Sequence, residues 1–229
     1  MRAPEDSSLR PIESLADLTE LGRMRLSDNF FMREMLYSDV GNFYRIPNIP
    51  DDPELAVAAG SRLCELVLEP LRRRFGQVCV RSAYRSSTLN AYCHERYQAG
   101  ESASWCVDNE SNYAEHIWDR RDSQGFIGAT ATVFIPGYLD YYSRTGNWRP
   151  LAWWIRDHIE HYAAVFVFRT LCAFNIRWYE GPSDKAIVYL DPPVREVLTK
   201  RGAPGFEGVH IAEYAGVLTS SSDGHPAVC

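Results

Sequence analysis

The 229-residue chain has no apolar run long enough to cross a membrane. Its longest, Ala163 to Phe168, is strand-sized, against about 18 residues for a span. The opening MRAPEDSSLRPIESLADLTELG has no apolar segment behind a basic start, which predicts no secretory signal and a cytoplasmic chain. Basic charge is not in surplus: 24 Lys and Arg against 30 Asp and Glu leave a net charge of -6, which argues against broad electrostatic capture of nucleic acid. The basic stretch Leu71-Arg72-Arg73-Arg74 reads as a helix end that complements the helix dipole. The cysteines lack a pattern. Cys64, Cys79, Cys93, Cys106, Cys172 and Cys229 include no C-x-x-C pair and fit no zinc-knuckle spacing, so scattered core thiols are expected. No phosphate-binding or dinucleotide-binding glycine motif, no G-x-S-x-G elbow and no H-E-x-x-H helix occurs.

Aromatic residues are plentiful, with six Trp and thirteen Tyr. Trp105, Trp118, Trp148, Trp153, Trp154 and Trp178 are candidates for lining a cleft. Trp118, close to His116, is the first choice, while Trp153 and Trp154 are expected in the core. Helical periods cover 13–24 and 28–38, and a long helix runs from a cap at Asp51 or Asp52 to Gly76, interrupted or restarted at Pro70. Its buried face is Leu55, Ala59, Leu63, Leu66 and Val67. Residues 77–84 alternate as a strand, and 87–99 form a helix capped by Ser86 or Ser87. Then come a loop, a strand at 130–135, a short helix to Arg144, a helix at 148–162, paired strands at 165–169 and 174–179, and a strand at 186–190. The class is α+β, a small antiparallel sheet with flanking helices. The organisation is a helical extension (1–25), one domain (26–218) and a flexible tail (219–229).

Leu26-Ser27-Asp28-Asn29-Phe30 with Glu34-Met35-Leu36-Tyr37-Ser38, then Asn48-Ile49-Pro50, then Val80-Arg81-Ser82-Ala83-Tyr84-Arg85-Ser86 with Leu89-Asn90, follow one another in order. This series resembles the D-alanyl-D-alanine carboxypeptidase-like zinc peptidases over roughly residues 26–90. The Y-R-S-x-x-L-N piece is its most specific part. The resemblance implies the hedgehog/DD-peptidase fold, in which a sheet floor carries zinc. It also implies that Arg85 orients a substrate carbonyl or carboxylate, a task suited to a permanently charged fork.

The metal motif of that family, S-x-H-x-x-G-x-A-x-D followed by a W-x-H strand, is incomplete. His116 matches the first histidine, but Asp119 replaces the glycine and Asp122 falls one residue short of the aspartate. Gly128 to Thr132 matches the second half, with Thr132 at the aspartate position; on the later strand Tyr179 takes the second histidine's place. Two clusters could supply a moved site: His116 with Asp119 and Asp122, and Asp157-His158-Ile159-Glu160-His161, where His158 and His161 share a helical face. Two histidines and a carboxylate suit zinc or ferrous iron.

Three readings follow. The first is a peptidase-like metal-dependent hydrolase of amide bonds in cell-wall-type peptides or muropeptides. In it, His116, Asp119, Asp122, His158 and His161 are the candidate metal ligands, Arg85 holds the substrate, and Glu180 or Glu160 takes the water's proton. The second is a catalytically inactive binding module on the same fold, without metal. The third is a metalloenzyme with a relocated His/Asp site acting on a small molecule.

Overall fold

The computed structural model describes residues 11–101 and 106–218. Trp105, Cys229, the tail from 219 and the first ten residues of the helical extension lie outside the described residues.

The chain begins with short helices, α1 (Leu15–Arg23), α2 (Met32–Leu36) and α3 (Asp39–Tyr44). The helical period at 28–38 is realised only from Met32, because residues 25–31 turn back on themselves, with Leu26 N–H donating to the Phe30 carbonyl. Glu69 fixes this turn. Its carboxylate accepts the Ser27 hydroxyl at 2.7 Å, the Asn29 N–H at 2.7 Å and the Asn29 amide at 2.9 Å. Burial works to raise the Glu69 carboxyl, but these bonds outweigh it and hold it below the usual range. The long helix is α4 (Pro53–Leu63), one π-helical turn (Cys64–Leu68) and α5 (Glu69–Phe75). Asp52 caps it through the Leu55 N–H at 3.0 Å, Pro53 occupies its first turn and Gly76 ends it at φ 75°. Pro70 has no N–H to complete an α-helical ladder, and the wider π turn falls immediately before it. Of the expected face, Ala59, Leu63 and Val67 are buried, and Leu55 and Leu66 are half-buried.

The rest of the chain builds one six-stranded sheet. In chain order come β1 (Cys79–Ser82), α6 (Ser87–Gln98), α7 (Asn109–Asn112), β2 (Gly128–Phe134), α8 (Pro136–Thr145), α9 (Arg149–His158), β3 (Tyr162–Phe168), β4 (Phe174–Tyr179), β5 (Ala186–Asp191), β6 (Val194–Thr199) and α10 (Ile211–Leu218). The strand order is β1-β2-β4-β3-β5-β6. The expected antiparallel sheet needs one correction, since β3 and β5 run parallel, Val165 facing Ile187 and Val167 facing Tyr189. The helix expected over 148–162 stops at His158, so that Tyr162 can open β3.

The sheet has two unlike faces, as its period of two requires. Ala129, Ala131 and Val133 of β2, with Phe174, Ile176 and Trp178 of β4, join the main core against the α4–α5 helix. Thr130, Thr132, Asn175 and Arg177 alternate with them and point to the opposite side. Register pairs Thr130 with Arg177 and Thr132 with Asn175. A polar strip thus crosses the middle of the sheet, and the candidate site stands on it.

Candidate functional site: the His116 cleft

A cleft of about 430 Å³ opens over this polar strip. Arg81, Thr132, Asn175 and Phe168 come from the strands; Arg85, Cys106, Asn112, Glu115 and His116 come from the segments that wall it.

The wall is positioned by the segment with the sequence Tyr84 to Asn90. Tyr84 is buried in the core. Arg85 N–H donates to the His116 carbonyl at 2.8 Å, tying the strand exit to the histidine segment. The Ser86 hydroxyl caps α6 through the Leu89 N–H at 3.2 Å. Asn48 bridges the same corner, its amide donating to the Leu36 and Tyr84 carbonyls and its oxygen accepting the Ser86 N–H. Asn90, fully buried, is the hub. Its oxygen accepts from Asn112 at 2.5 Å, from the Cys106 thiol at 2.6 Å and from Arg85 at 3.3 Å, and its amide donates to the Val107 carbonyl and to Asn109.

The histidine segment is pinned to the sheet. Thr130 N–H donates to the Glu115 carbonyl and Arg177 to the Ala114 carbonyl. Ala114 sits at φ 56°. Gly128 lies so close beneath that an added Cβ would stand 2.2 Å from the Ala114 oxygen, so only glycine fits there. His116 is 9% exposed. Its Nδ1 lies 2.8 Å from the Ala83 carbonyl, which can only accept, so Nδ1 carries the proton and Nε2 presents its lone pair. Nε2 has the Asn175 amide 3.5 Å away, and the Asn175 oxygen accepts the Thr132 hydroxyl at 2.6 Å. Burial, then the nearby Arg85 guanidinium, lowers the imidazole to about 3, so the ring is neutral at physiological pH. Glu115 forms an ion pair with Arg177 at 2.6 Å and accepts from Thr130; burial holds its carboxyl above the usual range. Among the described residues, no ion pair engages Arg81 or Arg85.

The structure brings Arg85 and His116 together and disperses the other expected residues. Asp119 turns away from the cleft: its Oδ2 accepts the Asp51 N–H at 2.7 Å, which holds the approach to α4. Asp122 closes its own turn by accepting from the Gln124 and Phe126 N–H groups and from the Tyr179 hydroxyl. His158 stacks on Trp154 and bonds the Trp154 carbonyl, while exposed Glu160 and His161 lie between α9 and β3. Glu180 accepts the Ile127 N–H at the far end of β4. Among the described residues, no three His, Cys, Asp or Glu side chains gather to hold a metal.

Two further expectations are corrected. Trp118 is not a cleft residue. It is wholly buried, its ring lies against Gly60, and its indole N–H donates to the Thr130 carbonyl at 3.3 Å. Tyr179 does not stand beside His116; the strand register puts Asn175 there, opposite Thr132. Sequence reasoning missed Asn175, Asn90 and Cys106. Asn175 carried a signal, being one of two polar side chains that alternate with Phe174, Ile176 and Trp178.

No protein-family model matches the chain, and no curated protein or solved structure matches it. No helix among the described residues is long and apolar enough to cross a membrane.

Proposed function

We propose that the His116 cleft is a binding site for the terminal carboxylate of a peptide-like ligand, on a scaffold of the hedgehog/DD-peptidase kind, and that it acts without the zinc that the family resemblance implies. The observation that carries this reading is Arg85. A half-buried guanidinium ends in an open cleft, and its partners among the described residues are neutral, Asn90 and Cys106. A carboxylate accepted there gains charge-assisted bonds. The neutral His116 Nε2 lines the same space and has only a long contact, 3.5 Å, from the Asn175 amide, which the amide N–H that precedes a terminal carboxylate could replace.

The donors present do not fit zinc. Around His116 stand one carboxamide and one hydroxyl, already bonded to each other, and Glu115 is held by Arg177. Catalytic zinc takes three ligands, drawn from imidazole, thiolate and carboxylate. His116 is also a poor general base. With its imidazole lowered to about 3, it would hold an abstracted proton only weakly at neutral pH. Binding uses the lone pair and needs no proton transfer.

Calorimetric titration with acetyl-D-alanyl-D-alanine and with its C-terminal amide tests the reading. The acid is expected to bind, and the amide at least about tenfold more weakly, matching the loss of a charge-assisted pair. Arg85→Gln should abolish the difference. Equal affinities for acid and amide would overturn the carboxylate reading. Release of D-alanine on addition of zinc would replace it with the hydrolase reading.

A further inference from the structure

Two thiols share a small buried cluster behind the cleft wall, and one of them, Cys106, lines the cleft. Cys93, on α6, and Cys106, just before α7, are 4% and 7% exposed; with Leu89 they form a small apolar cluster separate from the main core. Neither is in a disulfide. The backbone on either side of Cys106 is clamped to the same helix. The His94 ring holds the Cys106 carbonyl at 2.9 Å and Asn90 holds the Val107 carbonyl at 3.0 Å. Cys106 also faces the cleft, where Arg85 Nη1 donates to its sulfur at 2.7 Å.

We propose that Cys93 and Cys106 are a reversible dithiol–disulfide pair, a modification site whose state sets how freely Arg85 can engage a ligand. The oxidant class is a hydroperoxide. Its O–O bond breaks, one S–S bond forms, and the two S–H protons leave on the two oxygens, as two waters when the oxidant is hydrogen peroxide. The pair loses the two electrons that the peroxide gains. The two residues already pack in one cluster, and their sulfurs approach to about 2 Å on bonding.

The thiols differ from the rest of the chain in the direction that reactivity requires. The neighbouring Cys106 thiol, aided by Arg85 and opposed by burial, holds Cys93 below the usual thiol range; Cys106 is raised in turn. Cys64, Cys79 and Cys172 are all pushed up by burial, which keeps them protonated and inert. Where Cys93 is ionised its charge lies near Arg85 and offsets the guanidinium, while Cys106, which Arg85 bonds, stays a neutral thiol. The disulfide is neutral and has no S–H for Asn90. Oxidation therefore leaves Arg85 less compensated and strengthens carboxylate binding. This last step rests on the carboxylate-binding reading above.

The test uses the full chain. Hydrogen peroxide treatment, alkylation of the remaining thiols and peptide mapping should give a Cys93–Cys106 cross-link that dithiothreitol reverses, with Cys64, Cys79 and Cys172 alkylated. Over-oxidation of single cysteines without that cross-link, or cross-links made elsewhere instead, overturns the pair. The Cys93→Ser variant should give no cross-link, and the wild-type map decides the question even where the variant does not fold. Acetyl-D-alanyl-D-alanine should bind the oxidised form about threefold or more tightly, the scale of a partly screened charge. A cross-link with unchanged affinity overturns the coupling to Arg85. Failure of either form to bind the peptide overturns the carboxylate reading and with it the coupling, while the map still decides the dithiol pair.

Discussion

At the corner where α9 meets α10, Asp157 accepts from the His210 backbone at 2.6 Å, from His210 Nδ1 at 2.8 Å, from Tyr214 at 3.1 Å and from Arg156 at 3.1 Å. The other His210 nitrogen bonds the Gly205 carbonyl, and the ring stacks on Trp153 with centroids 4.0 Å apart. In the cleft the same kinds of residue are arranged differently. His116 turns its lone pair toward Asn175, and Arg85 has no carboxylate partner among the described residues. Both regions concentrate histidine, arginine and acid. One joins most of its polar atoms to one another, Arg156 Nε excepted, and attaches the C-terminal segment; the other leaves the Arg85 guanidinium facing a cavity. A charged group that ends at an open cleft with no opposite charge beside it among the described residues points to an ionic ligand.

The sharpest way to break this contrast is Asp157→Ala. The side chain is 3% exposed, and its removal strands Arg156 and His210 together. The expected loss is about 3–5 kcal/mol, the range for breaking a buried pair, with carboxylate binding unchanged in whatever fraction stays folded. Urea unfolding followed by titration checks both halves. Burial pushes the Asp157 carboxyl up, but the bonds from His210 and Arg156 outweigh it and hold it below the usual range. A carboxyl lowered in the fold stabilises above its unfolded value. That contribution should disappear as pH falls below about 4 and toward the folded value. A variant as stable as the wild type would make the corner as loosely tied as the cleft.

How far each region could be read from sequence follows from how local its contacts are. Ser86 and Leu89 stand within one helical turn, where spacing alone fixes a cap, so the start of α6 was legible; the role of Asn90 was not, because its partners Cys106, Val107, Asn109 and Asn112 lie in a later segment. Asp52 and Pro53 at the start of α4 were legible for the same reason. The partner of His116 was not, because it depends on the register between β2 and β4, 43 residues apart at Thr132 and Asn175. The charges at 116–122 are close in sequence, yet Asp119 turns to the approach to α4 and Asp122 to its own turn. Strand β6 follows two prolines and carries Arg195 and Glu196 in mid-strand, with no clean alternation to announce it. The parallel pairing of β3 with β5 skips a strand and leaves no local mark.

A middle-sized effect is expected at Gly128, which belongs to the cleft by contact rather than by chemistry. Gly128→Ala forces a Cβ onto the Ala114 carbonyl, so the 114–116 segment must lift from the sheet. Overpacking of this kind costs about 1–3 kcal/mol. The displaced His116 should weaken ligand binding as well. The same substitution at Gly216, where an added Cβ meets nothing, should leave binding alone. Thermal melts and the acid–amide titration distinguish the two. If Gly128→Ala lowers stability with full affinity retained, the histidine segment does not shape the site.

The smallest effect at neutral pH is expected for His116→Gln, and it should reverse in acid. The variant loses the bond to the Ala83 carbonyl, worth about 1 kcal/mol. The wild-type imidazole, however, is lowered to about 3 by burial and by Arg85, while the unfolded chain takes up its proton near pH 6.5. Between those values the unfolded state binds more protons than the folded one. The stabilising contribution is therefore complete above about 6.5 and is lost as pH falls toward 3, by up to about 1.4 kcal/mol per pH unit. Glutamine has no such proton to bind. Unfolding curves of the two proteins should therefore cross near pH 5 to 6, with the variant the more stable below the crossing. Parallel curves down to pH 4 would mean that His116 titrates freely, and a freely titrating ring is not the neutral acceptor that the proposed site requires.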